Sequence, residues 1–136
     1  MSVRGELVAE IGQGFLLLVG VGKDDGFGEY DRLAEKVFHL RVFEDEEGKM
    51  NRSLSDVGGE ILVVPQFTFY GDVRRGRRPS WDGAAPPDVA ADRVDAFAKA
   101  LEGRGATVKR GAFREHMQVE LVNDGPVTLW VDSTGL

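Results

Sequence analysis

The chain has 136 residues, 42% of them hydrophobic, with no cysteine, two histidines and a formal net charge of -6. That length suits one compact domain, which at this size buries roughly two thirds of its unfolded surface. The composition excludes disulfides, thiolate chemistry, a histidine-rich metal site and nucleic-acid coating by bulk positive charge, and no apolar run approaches the roughly 18 residues of a membrane span.

The N-terminus lacks the layout of a signal peptide, so the expectation is a cytoplasmic chain working without metal or cofactor. Leu7 to Ile11, then Gly12-Gln13-Gly14, then Phe15 to Val19 predict a hairpin whose second strand is central and buried on both faces. Asp24 and Asp25 are candidate caps for a helix with Tyr30, Leu33, Ala34, Val37 and Phe38 on one apolar stripe. His39 falls off that stripe and is assigned to the surface. Arg41 to Glu44 reads as a short strand closed by the acidic turn Asp45-Glu46-Glu47-Gly48, a solvated loop with too few alternating oxygens for calcium. Gly58-Gly59 precedes the buried run Ile61 to Val64. Pro86-Pro87-Asp88 opens a second helix with Val94, Phe97, Ala98 and Leu101 inward, ended by Gly103-Arg104-Gly105. Three strand-like segments follow, Ala106 to Lys109, Met117 to Val122 and Val127 to Asp132. Strands interleaved with two main helices, then a strand-rich tail, predict a single α/β layered domain with mixed β-sheets over residues 1–136.

An ester-cutting site commonly needs a nucleophile, a base and an oxyanion hole. His116 has no Ser or Cys in a recognisable nucleophile setting near it in the sequence, so the base is missing. Pro65 directly follows a buried strand and removes a ladder donor, marking an edge, a bulge or the strand's end. The amides of Gln66, Phe67 and Thr68 are then candidate donors to a ligand or an oxyanion. The plain alternative is one continuing strand, with Phe67 and Phe69 as alternating core aromatics and Thr68 as a β-branched strand residue. Asn123-Asp124-Gly125-Pro126 leaves the same choice open, because it also makes an ordinary turn. Arg74, Arg75, Arg77 and Arg78 surround Gly76. They are either a solvated loop paired to nearby carboxylates or a phosphate contact.

The motifs Gly12-Gln13-Gly14-Phe15-Leu16, Phe43 to Asn51, Gln66-Phe67-Thr68, Arg77-Arg78-Pro79-Ser80 and Met117-Gln118-Val119 leading into Asn123 to Thr128 occur in this order. Together they resemble the D-aminoacyl-tRNA deacylase family, also called D-tyrosyl-tRNA deacylase, from about residue 5 to residue 133. The resemblance implies a homodimer with its site at the subunit interface, acting on the acceptor end of aminoacyl-tRNA in chiral proofreading. It assigns Pro65 through Phe69 to the pocket for the aminoacyl end, and Gly125-Pro126, as a Gly-cis-Pro pair, to the partner's cleft. Phe67 and Thr68 amides would stabilise the oxyanion, with a ribose hydroxyl or Thr68 as a further participant. Arg74, Arg75, Arg77 and Arg78 would contact acceptor-stem phosphates. Glycyl-tRNA would be cleaved as well, since glycine carries no side chain to exclude. Three departures stand out: the family's first N-terminal strand has no counterpart, Pro65 replaces a serine and Phe69 a leucine. A catalytically silent module binding the aminoacyl-tRNA end or a D-amino acid is the alternative.

Overall fold

The computed structural model describes residues 1–26, 28–125 and 127–136. In chain order the elements are β1 (Ser2–Val3), β2 (Glu6–Leu7), β3 (Gly14–Val19), α1 (Glu29–His39), β4 (Phe43–Glu44), β5 (Met50–Arg52), α2 (Leu54–Val57), β6 (Glu60–Pro65), a 3-10 turn (Phe67–Tyr70), α3 (Pro87–Gly103), β7 (Thr107–Arg110), β8 (Met117–Gln118) and a final 3-10 turn (Ser133–Gly135). This is the expected mixed α/β layering around two main helices.

Strand β6 organises the packing because Ile61, Leu62, Val63 and Val64 are all buried and need cover on both faces. Ile61 and Val63 join the core made with Ala34, Val37 and Phe38 of α1 and Val94, Phe97, Ala98 and Leu101 of α3. Leu62 and Val64 pack the other way, against Met1 and Ala9. The small sheet β2-β1-β8 covers that second face, so helices, the β3-β6-β7 sheet and the small sheet form three layers. Each fully buried Leu or Ile here contributes about 1.5–3 kcal/mol relative to exposure.

Several local expectations are corrected. Leu7 to Ile11 and Phe15 to Val19 do not form a hairpin: β2 pairs with β1, and β3 runs parallel to β6, Val19 standing opposite Pro65. The apolar run of β3 finds its best match in β6, and parallel pairing is allowed because α1 supplies the long crossover. Strand β3 is therefore an edge strand and half-buried, while β6 is central. Neither Asp24 nor Asp25 caps α1; its N-cap is Gly28, and Asp25 instead accepts the Gly22 N–H at 2.8 Å. The apolar stripe of α1 lies as expected and His39 is exposed, 3.3 Å from Glu35. The turn after β4 is a solvated loop in which the Asp45 carboxylate accepts from the Glu47 and Lys49 amides and from Asn51. Helix α2 was not expected, although its capping box, Ser53 with Asp56, is written in the sequence. The tail departs most. Among the described residues of 117–132 only Met117 and Gln118 enter a ladder, and Val127 to Asp132 form no strand.

Candidate functional site

Strand β6 ends at Pro65, whose ring leaves no N–H to extend the ladder. Gln66 makes one more bond, its N–H donating to Val19 O at 2.8 Å, and the chain then coils into the 3-10 turn. The alternative of one continuing strand through Phe69 is thereby excluded. Instead Phe67, Thr68 and Phe69 stand exposed beyond the carboxyl ends of parallel strands, where open α/β sheets leave their crevices. The N–H groups of Phe67 and Thr68 open the turn and have no acceptor among the described residues.

The end of β3 makes room for this turn. A Cβ on Gly20 would lie 3.1 Å from Gln66 O and 3.2 Å from Phe69, and one on Gly22 would lie 2.8 Å from the Tyr70 hydroxyl. Burial raises the Tyr70 phenol above its ordinary value. Asp25, Asp132 and Glu29 add to the rise, and a bond from the Gly22 amide opposes it. Thr68 Oγ1 accepts from Gln66 Nε2, and among the described residues no imidazole or carboxylate reaches it. A threonine without a base is a weak nucleophile, whereas two free amides side by side suit a developing oxyanion. Pro65 faces the helices and lines a cavity of about 110 Å³ with Val63, Val94 and Phe113.

Asp72 and Ser80 close the arginine loop through reciprocal backbone bonds of 2.8 and 2.9 Å. Arg74 is internally paired, its guanidinium donating to both Asp72 oxygens, and this fork lowers the Asp72 carboxyl to about 2. Arg75, Arg77 and Arg78 are exposed and make no ion pair among the described residues. The two readings of the loop thus divide by residue: Arg74 holds its shape and three cations stay open.

Gly125 sits on an exposed turn, its N–H donating to Asn123 O at 2.7 Å, and Asn123 Nδ2 closes the same turn on Thr128 Oγ1 at 2.9 Å. The nearest atoms beyond its chain neighbours belong to Asn123 and Val127, so Gly125 contacts its own turn. Pro126 lies outside the described residues. Sequence reasoning missed Trp81, which meets Phe67 edge to face with ring centroids 5.1 Å apart, and Trp130, which meets Phe69 in the same way at 5.1 Å. The Gly20-Val21-Gly22 spacing after an apolar run was a usable signal for the close approach; nothing in the sequence pointed to the tryptophans.

A family model described as D-Tyr-tRNA(Tyr) deacylase matches residues 1–132. A protein of Thermomicrobium roseum called D-aminoacyl-tRNA deacylase is 60% identical over 136 residues, 100% of this chain and 88% of the relative. One of Heliobacterium modesticaldum with the same name is 56% identical over 99% of this chain and 90% of its own length. A solved structure named c-Myc DNA Unwinding Element Binding Protein superposes with a TM-score of 0.85 at 38% identity, over 94% of this chain and 87% of that one.

Proposed function

This chain belongs to the D-Tyr-tRNA(Tyr) deacylase family and acts as a hydrolase on D-aminoacyl-tRNA, and we propose that its turn at Gln66 to Phe69 carries out the reaction. The observation that carries the activity is 60% identity along the entire chain to a D-aminoacyl-tRNA deacylase. What supports the site is the pair of unused amides at Phe67 and Thr68 beyond the end of β6.

In this reading water attacks the ester carbonyl carbon and the Phe67 and Thr68 amides hold the oxyanion. The acyl carbon–oxygen bond then breaks, and the ribose oxygen leaves with a proton drawn from that water. An aminoacyl ester is labile, so positioning alone supplies much of the rate, each tenfold needing about 1.4 kcal/mol. Handedness is screened by exclusion. Main-chain atoms fix the substrate's Cα and leave space on one side for a D side chain, while an L side chain would meet backbone that no rotamer relieves. Phe69 borders this pocket, Pro65 acts by ending the strand before it, and glycyl-tRNA passes the same screen.

The excluding backbone is Gly125-Pro126 supplied by a second copy, which makes the active unit a homodimer of single domains spanning residues 1–136. Support comes from the tail: Leu121, Val122, Leu129 and Trp130 are exposed, and between Val119 and Val131 the only described backbone bond is that of Gly125 to Asn123. Arg75, Arg77 and Arg78 face the phosphates of the acceptor stem while Arg74 stiffens their loop. Removing these three reduces the slope of log affinity against log salt by about one per arginine, and an unchanged slope removes the loop from the interface.

Purified chain incubated with D- and L-tyrosyl-tRNA tests the reading. Loss of the D ester with the L ester spared is expected; survival of both would mean a silent binding module. Loss of D-tyrosyl-tRNA beside intact glycyl-tRNA would refute exclusion as the source of selectivity.

A further inference from the structure

The chain has two tryptophans, and both pack on the turn assigned to catalysis. Trp81 follows the arginine loop and presents its ring to Phe67 at an interplanar angle of 70°; Trp130 lies on the tail and meets Phe69 at 74°. Trp81 also fills the space over Gly71, where a Cβ would lie 2.7 Å from its ring. Yet Trp81 is 42% and Trp130 69% exposed, so neither ring is buried as core. Edge-to-face contact is the specific interaction each makes with the turn.

The turn needs such support. A single 3-10 turn has poor hydrogen-bond geometry, and the Phe69 N–H reaches Gln66 O only at 3.4 Å. The directions of the Phe67 and Thr68 amides are therefore weakly fixed by the backbone. We infer that Trp81 and Trp130 are positioning residues that hold the Phe67–Tyr70 turn from its two flanks and keep those amides aimed at the reacting carbonyl. The inference rests on the turn being the catalytic element. Trp130 also lies five residues beyond Gly125, so one side chain links a protomer's own turn to the tail that carries its Gly125 turn.

The test uses full-length Trp81→Ala and Trp130→Ala, each beside a Phe variant that keeps an aromatic edge and a Leu variant that keeps only apolar bulk. Each Ala variant is expected to lower kcat on D-tyrosyl-tRNA roughly three- to tenfold with KM changed by less than about twofold, the loss of one aromatic pair. The Phe variants restore most of kcat and the Leu variants do not. Backbone amide resonances of Phe67 and Thr68 move in the Ala and Leu variants and return in the Phe variants. Full kcat and unmoved amides in all variants would overturn the inference. If the parent itself fails to cleave D-tyrosyl-tRNA, the functional reading falls instead, and the amide resonances alone decide whether the tryptophans hold the turn. If an Ala variant does not fold, the Leu and Phe pair carries the same comparison.

Discussion

The helix-covered side of the sheet and the tail after β8 are built from similarly apolar sequence and end in opposite states. Leu101, Phe97 and Ile61 are at most 2% exposed, whereas Val122 is 91% exposed and Leu121 and Leu129 are more than half exposed. One region finds its partners within the chain. The other exposes the adjacent pairs Leu121-Val122 and Leu129-Trp130 and, among the described residues, makes one backbone bond between Val119 and Val131, which fits the proposal that a second copy supplies its neighbour.

Leu101→Ala and Val122→Asp should affect the two regions in opposite ways. Leu101 has no exposed surface, so its truncation should cost about 2–5 kcal/mol in urea unfolding. Val122→Asp should leave the unfolding of dilute protein unchanged within about 0.5 kcal/mol, as surface changes do. If a second copy covers the tail as proposed, Val122→Asp should in sedimentation shift the protein from dimer to monomer, because the new charge would be buried without a partner. A monomeric parent, or equal destabilisation by both substitutions, would end the idea that the tail awaits a second copy.

A second effect, of similar size but read in the rate, sharpens the turn as a site. Proline is tolerated at the first position of a helix and lacks only the N–H, and Phe67 occupies that position. Phe67→Pro should therefore fall about 100-fold or more below Phe67→Ala in kcat, the loss of one oxyanion donor. Thr68→Ala should stay within about tenfold of the parent, since among the described residues no base reaches its hydroxyl. Near-abolition by Thr68→Ala with D-aminoacyl ligand binding intact would make Thr68 the nucleophile.

The division between legible and hidden features follows the same line as the two regions. The stripe of α1, the inner face of α3 and the run in β6 were readable because local periodicity and burial agree there. The strand end at Pro65 was readable for a local reason too, a missing N–H. Pairing was not: β3 chose β6 over its sequence neighbour through contacts that span more than forty residues, which no window of sequence contains. Val127 to Asp132 has strand-like composition, but a strand exists only against a partner, and composition does not state whether the partner lies in the same chain. The motif residues Phe67, Thr68 and Phe69 are exposed beyond β6, a placement that follows from the local strand end. Trp81 and Trp130 escaped because their contacts with Phe67 and Phe69 depend on how the loop and the tail fold back.

The smallest effect concerns how firmly the arginine loop is preset. Asp72 titrates at about 2 in the folded chain against an ordinary 3.8, chiefly because the Arg74 side chain donates to it, with the Arg74 amide second. A depressed carboxylate contributes above its ordinary value, and the contribution is lost as pH falls through the folded value. The fork is therefore complete above about pH 4 and dissolves toward pH 2. Both groups are solvent-exposed, so Arg74→Ala should raise the Asp72 carboxyl toward 3.8 in a carboxyl-detected NMR titration without moving the melting temperature at pH 7. The Asp72–Ser80 backbone bonds should survive, since neither involves a side chain. Should Asp72 remain near 2 in that variant, the Arg74 amide at 3.0 Å would be the dominant partner. Arg74 would then be as free for phosphate as Arg75, Arg77 and Arg78, and the loop would present four cations in place of three.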